Sequence, residues 1–114
     1  MEMFVHLDSD IFEKVKIGTK NVEIRVNDEK RRKLSVGDKL IFLKRPDDME
    51  KLSTKITGLV YYNNFNDLVD NYPIERLYSK DYTKIELLNL LSKFYSDEEI
   101  NKYGVVAIEF TLEE

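Results

Sequence analysis

Apolar and polar residues alternate along several stretches of the chain, which is the pattern of strands with one covered face. In the clearest stretch, 21–27, Val22, Ile24 and Val26 occupy one face and polar residues occupy the other. Residues 40–43 are apolar on both faces, which indicates a strand near the centre of a sheet or barrel. Five strands are predicted in all, over 3–7, 21–27, 40–43, 52–62 and 105–112.

Between residues 63 and 103 the apolar period lengthens to about 3.6, which predicts two or three helices. Helix starts are indicated by capping-box spacing, in which an acidic residue follows the N-terminal cap by three positions. The pairs with this spacing are Asp10 with Glu13, Thr83 with Glu86, and Ser96 with Glu99. The first pair predicts an N-terminal helix that ends at Gly18, and Gly104 is expected to end the last helix.

The order of these elements is strand, helix, three strands, two or three helices, and a final strand. Consecutive strands with short connections pair in antiparallel fashion. We therefore predict an α+β fold with a curved, mostly antiparallel sheet or small barrel and flanking helices. No linker or internal repeat interrupts the 114 residues, so residues 1–114 are expected to form a single domain.

Composition narrows the chemistry that this domain offers. The chain has no cysteine and a single histidine, His6, which is expected to be packed, so neither a metal site nor a cofactor is predicted. A net charge of −4 means that any contact with nucleic acid must be local. No apolar run is long enough to span a membrane and the first residues do not resemble a signal peptide, so a cytoplasmic location is expected.

Candidate binding residues lie on the polar face of 21–27. Glu23 and Arg25 are two positions apart, so they can reach a common ligand, with Arg25 as a planar donor and Glu23 as an acceptor. Asn27 continues this face. Lys20 is expected at the preceding turn, because a strand extended back to it would direct its ammonium toward the core. The alternative is that this face carries only an exposed ion pair.

Two further groups offer contacts to nucleic acid. Lys30 and Arg31 begin a basic run directly after the polar face, although mixed charge runs are more often solvated turns. The aromatic residues Tyr61, Tyr62 and Phe65 could stack on the bases of single-stranded RNA. Their spacing across a strand end and a helix start suits core packing better.

Two motifs in this chain carry a resemblance to a known family. The sequence GTKNVEIRVNDEKRRKLSVGDKLIF resembles the signature of the ASCH domain family, GxKxxExR followed by VGDxIxF. Gly18, Lys20, Glu23 and Arg25 match the first motif. The segment YSDEEINKYGVVAIEF is also similar to bacterial members, so the chain is identified as a small bacterial single-domain member.

The resemblance implies both a fold and a site. ASCH domains are relatives of the PUA fold, which implies a small β-barrel of five or six strands with flanking helices. It also implies a polar cleft beside the barrel, and RNA or a modified nucleoside as the ligand. The predicted ligand-binding residues are Lys20, Glu23, Arg25, Asn27, Lys30 and Arg31.

Two alternatives stay open at this point, and with them the question of whether the protein is an enzyme. One branch of the family resembles an amidohydrolase that removes the acetyl group from acetylcytidine with a lysine, a threonine and a glutamate. Lys20 matches the lysine, but Glu23 stands at the threonine position, and the region of Lys80 and Asp81 offers no secure counterpart of the glutamate. In such an enzyme Lys20 and Glu23 would be the catalytic residues. The second alternative is a protein-interaction domain.

Overall fold

The computed structural model describes residues 1–113, in which five strands form one half-barrel sheet flanked by five helices. The strands are β1 (Glu2–Leu7), β2 (Val22–Val26), β3 (Lys39–Lys44), β4 (Lys51–Tyr62) and β5 (Val105–Leu112). The helices are α1 (Ser9–Lys16), α2 (Phe65–Asp70), α3 (Ile74–Leu77), α4 (Lys84–Phe94) and α5 (Asp97–Tyr103). The predicted α+β class and the five strands are confirmed.

The strands lie in the order β1-β3-β4-β5-β2 across the sheet. Three pairings are antiparallel, and β1 pairs with β3 in parallel, so the mostly antiparallel character is confirmed. The prediction that consecutive strands pair is wrong for β2 and β3. Strand β2 pairs instead with β5 from the far end of the chain, which leaves β2 at one edge of the sheet.

Four helices lie between residues 63 and 103, where two or three were expected. The additional element is α3, a single turn of four residues that follows Pro73. One turn is too short to show a helical period in the sequence. This turn nevertheless matters for the site, because its last residue, Leu77, is buried and lies next to β2.

Two hydrophobic cores lie on opposite faces of the sheet. One fills the concave side beneath α1 and contains Phe12, Phe42 and Phe110. The other fills the space between the strands β2 and β5 and the helices α2, α3 and α4, and it includes Ile24 and Leu87. Because successive side chains of a strand point to opposite faces, β2 presents Ile24 to the helices and turns its Glu23 and Arg25 to the other side.

No helix of residues 1–113 is both long and apolar enough to cross a bilayer.

A bulge at Gly58 bends β4 where the strand passes from β3 to β5. A Cβ at this position would lie 2.6 Å from Oε1 of Glu109, which is held in place because its Oε2 accepts a hydrogen bond from the Tyr72 hydroxyl at 2.6 Å. The glycine therefore allows β4 and β5 to approach closely at the bend.

The predicted capping boxes at Thr83 and Ser96 are present in the structure, each with the reciprocal side-chain and backbone hydrogen bonds. The one predicted at Asp10 is wrong. Helix α1 begins two residues earlier, with Asp8 as its N-cap and no capping side chain, and the carboxylate of Asp10 accepts instead from the backbone of Ile11.

Replacing Thr83 by alanine is expected to lower the free energy of unfolding by about 1 kcal/mol, because the first turn of α4 loses the acceptor for the Glu86 amide. Urea denaturation measures this change. Ser92→Ala, which removes a hydroxyl from the last turns of the same helix, is the matched control and should leave stability within about 0.5 kcal/mol of the unmodified protein. Equal losses in the two variants would contradict a stabilising cap.

Candidate functional site

Lys20 is a buried cation at the start of β2, with 2% of its surface exposed. Its ammonium donates to the backbone carbonyls of Val22 and Leu77, each at 2.7 Å, and to Oε1 of Glu23 at 3.2 Å. The prediction of an exposed turn lysine is therefore wrong. The side chain turns inward because three oxygen acceptors replace the water that it loses.

Glu23 is the central member of this group, and it is 6% exposed. Its Oε1 accepts from the Lys20 ammonium and, at 3.3 Å, from the backbone amide of Ile24. Its Oε2 accepts from Nη2 of Arg25 at 2.9 Å. Three donors therefore already engage this carboxylate, and we call Lys20, Glu23 and Arg25 together the ion triad.

The protonation states of the triad follow from its geometry. Burial alone would raise the pKa of Glu23, but the positive charges of Lys20 and Arg25 lower it to about 2. Burial lowers the pKa of Lys20, and the Glu23 carboxylate opposes that shift. Because three acceptors surround Nζ and a neutral amine has only two protons to donate, Lys20 is an ammonium here. The triad carries a net charge of +1.

A cleft of about 480 Å³ opens between the edge strand β2, the start of α1 and helix α4. The ion triad forms its polar floor. Its apolar wall consists of Ile11, Ile24, Leu77, Leu87, Leu90, Leu91, Phe94 and Tyr95, and its remaining lining residues are His6, Leu7, Asp8, Arg45 and Tyr78. The three charged groups of the motif thus converge on one hollow.

Arg25 is the group that this floor presents to a ligand. Its Nε is buried and has no hydrogen-bond partner among the described residues. The nearby carboxylate of Glu23 raises the pKa of Arg25, so the guanidinium stays charged. Since Glu23 is already occupied and Lys20 has no proton left to donate, the floor offers a donor to a ligand and no free carboxylate. This differs from the prediction that Glu23 accepts a hydrogen bond from the ligand.

Other predicted residues lie outside the cleft. Asn27 extends β2, where its amide donates to the Gly104 carbonyl, and its side chain lines a separate groove. Lys30 is exposed, and Arg31 pairs with Asp28 at 3.4 Å. The structure therefore brings three of the six predicted binding residues together in the cleft. The binding roles of all six stay predictions.

The structure places His6 at the rim of the cleft and Asp81 outside it. His6, expected to be packed, has an exposed side chain at the rim and pairs through Nδ1 with Asp48 at 3.1 Å. Asp81, a candidate base for hydrolysis, contacts Ser79 and does not line the cleft. Within residues 1–113 no cluster of three or more histidine, aspartate or glutamate side chains is suited to holding a metal ion.

The apolar wall was not identified from the sequence as part of a site. Phe94 continues the 3.6-residue apolar period of α4, yet it is 70% exposed and borders the cleft. The position of Phe94 in the last turn of α4 was the available signal for its exposure, because an apolar residue in a final turn can lie beyond the core. Arg45, at the end of β3, gave no signal in the sequence pattern.

Comparison with known proteins identifies relatives of the chain. The family model described as the ASCH domain matches residues 5–114. No curated protein matches the chain significantly. The crystal structure of the hypothetical protein PH0355 is similar with a TM-score of 0.85 and 32% identity, covering 99% of this chain and 100% of that one. The solution structure of protein PF0455 from Pyrococcus furiosus has a TM-score of 0.79 and 30% identity, with 100% and 99% coverage.

Removing the carboxylate of Glu23 should destabilise the fold strongly, because the Lys20 charge then lies buried without a counter-ion. Glu23→Gln is expected to lower the free energy of unfolding by about 3–5 kcal/mol in urea at neutral pH. Glu13→Gln is the matched control, since Glu13 pairs with Lys44 at 3.0 Å on the surface and its loss should amount to under about 1 kcal/mol. Similar losses in both variants would refute the role given to the triad.

The same carboxylate should make stability depend on pH in the acid range. The pKa of Glu23 is about 2 in the folded protein against an ordinary value of 4.5, so its contribution is complete above 4.5 and is lost as the pH falls toward 2. We expect the stability difference between the unmodified protein and Glu23→Gln to narrow over that interval. Urea titrations at a series of pH values measure it, and a difference that stays constant would contradict the assignment.

Proposed function

The chain belongs to the ASCH domain family, and from that premise we propose that it binds single-stranded RNA by holding one nucleobase in the cleft. The observation that carries the proposal is the buried, unpartnered Nε of Arg25 on the cleft floor. A buried donor without a partner is unfavourable by about 1–3 kcal/mol. A ligand that supplies an acceptor there removes this cost, so the site favours a ligand with an exposed oxygen or ring nitrogen.

The apolar wall supports a flat aromatic ligand. Leu90, Phe94 and Tyr95 stand beside the floor, so one molecule can contact the guanidinium at its edge and an aromatic ring at its face. A nucleobase has this combination, since its carbonyl oxygens lie in the plane of a stacking ring. The cleft volume of about 480 Å³ falls within the range of roughly 300–1,000 Å³ found for small-ligand sites.

Charges at the rim support a nucleotide over an uncharged ring. Arg45 is exposed at the mouth and has no ion-pair partner in the part of the chain that the structure describes. Its guanidinium suits a phosphate, which it can bind through two parallel hydrogen bonds. Asp8 is the acidic residue on the same rim, so a phosphate is expected on the Arg45 side.

Amide hydrolysis is less well supported by the geometry. A hydrolase would need a free base and a free electrophile, but the pKa of Glu23 is about 2 and the protons of the Lys20 ammonium are all donated within the protein. No contact of residues 1–113 favours a role as a protein-interaction domain over ligand binding. Binding without catalysis is therefore the function that we propose.

The experiment titrates the protein at low salt with the four ribonucleoside 5′-monophosphates and with four fluorescein-labelled homopolymer RNA hexamers. Saturable binding of at least one of them is expected. Phe94→Ala should weaken it about tenfold or more, because stacking of a base on an aromatic side chain contributes roughly 1–3 kcal/mol. Arg25→Lys, which keeps the charge but loses Nε, should weaken it as well.

Ile85→Ala provides the matched control for this experiment. Ile85 lies on the same helix as Phe94 and is also 70% exposed, but it does not line the cleft. Its removal should leave the affinity unchanged. The proposal fails if none of the eight ligands binds saturably, or if Phe94→Ala and Ile85→Ala have equal affinities.

A further inference from the structure

A second depression lies at the ends of β2 and β4 and the start of β5, near the C-terminal end of α5. Its volume is about 510 Å³, and we call it the tyrosine groove. Its lining residues are Asn27, Tyr61, Tyr62, Asn63, Ile100, Asn101, Lys102, Tyr103, Gly104 and Val105. It shares no residue with the cleft, and nothing in the proposed function uses it.

The charge of the tyrosine groove is unlike that of the whole molecule. Among the described residues that line it there is no aspartate or glutamate, although the chain has a net charge of −4. Lys102 is exposed there, with its ammonium 5.1 Å from the centre of the Tyr103 ring. The charge carried by the described lining residues is therefore positive, which favours an anion over a cation in the groove.

Arg32 adds a fixed cation at the edge of the groove. Its Nε donates to the Asn27 carbonyl at 2.8 Å and its Nη2 to the Tyr103 carbonyl at 3.2 Å. The guanidinium also lies 5.7 Å from the Tyr103 ring centre. Through these contacts Arg32, which belongs to the basic run that begins at Lys30, lies beside the groove and not beside the cleft. The remaining N–H groups of its guanidinium can bind a phosphate there.

Tyr61 offers a stacking surface on the same face of the sheet as the cleft. Tyr61 is 58% exposed. In the register of the sheet, Tyr61 pairs with Val106 and Val106 pairs with Arg25, so all three side chains point to one face. Two strand spacings, about 9.5 Å, separate Tyr61 from Arg25. A ligand in the cleft and one in the groove are therefore near neighbours.

Asn27 gives the groove an unfilled hydrogen-bonding position. Its Oδ1 is buried and has no partner among the described residues. Asn27 lies two residues after Arg25 on the same side of the extended chain. The Cα atoms of two such residues are about 6.5–7 Å apart. A ligand N–H or O–H would satisfy this acceptor, as an exocyclic amino group or a ribose 2′-hydroxyl does.

From these contacts we propose that the tyrosine groove holds the nucleotide next to the one in the cleft, with its base on Tyr61 and its phosphate between Lys102 and Arg32. The ligand is then a single strand of at least two nucleotides instead of a free nucleoside. This inference rests on the proposed function and extends it. It also explains why Tyr61, expected in the core, stands at the surface.

The test compares each of the four ribonucleoside 5′-monophosphates with its homopolymer RNA hexamer, using Tyr61→Ala and Lys102→Ala. Both variants should weaken hexamer binding, Tyr61→Ala about tenfold or more, and leave mononucleotide binding unchanged. In Lys102→Ala the slope of log affinity against log salt should fall in magnitude by roughly 0.7, the value for one phosphate contact on a single strand.

Lys51→Ala is the control, since Lys51 is an exposed lysine at the opposite end of β4 from Tyr61. Lys51→Ala removes one positive charge, as Lys102→Ala does. Apart from the effect of net charge, it should change neither the affinity for the hexamers nor the slope of log affinity against log salt. Mononucleotide binding that requires Phe94, with hexamers no tighter and indifferent to Tyr61 and Lys102, would overturn this inference and leave the proposed function intact. Absence of binding by all eight ligands would overturn both.

Discussion

The buried ion triad is the interaction on which the rest of this structure depends. An ammonium cannot be taken from water into an apolar interior unless oxygen atoms replace its hydration. For Lys20 these oxygens come from the Val22 carbonyl at the start of β2, from the Glu23 carboxylate three residues along the chain, and from the Leu77 carbonyl at the end of α3. The requirement thus joins the edge of the sheet to the helical layer at the end of α3.

The same requirement determines what the cleft can recognise. A carboxylate that neutralises two cations has no capacity left for a ligand, so Glu23 acts by positioning Arg25. Its Nη2 donates to Glu23, while its Nε has no partner among the described residues. The sequence suggested that all three charged residues contact the ligand. In the structure Arg25 is the donor that faces the cleft, and Lys20 and Glu23 hold it in position. The opposite wall of the cleft is apolar.

Much of the fold was predictable from local patterns, and the failures were non-local. Alternation and the apolar run at 40–43 located the five strands, and the capping boxes at Thr83 and Ser96 located two helix starts. The burial of Lys20 was not predicted, because its acceptor on Leu77 is 57 residues away and no spacing rule connects them. The parallel pairing of β1 with β3, and the exposure of Phe94 and Tyr61 where helix and strand ends pass beyond the core, likewise depend on how distant elements meet.

In the proposed complex Arg25 offers a ligand its Nε, which has no partner among the described residues, while the triad stays intact. The most direct measurement is the nitrogen NMR resonance of Arg25 Nε, followed with the ammonium resonance of Lys20 during titration with homopolymer RNA hexamers. We expect the Arg25 Nε resonance to shift as the hexamer saturates, while the Lys20 ammonium stays protected from exchange. Saturation with an unchanged Arg25 Nε resonance, or with release of the Lys20 ammonium to solvent, would contradict it.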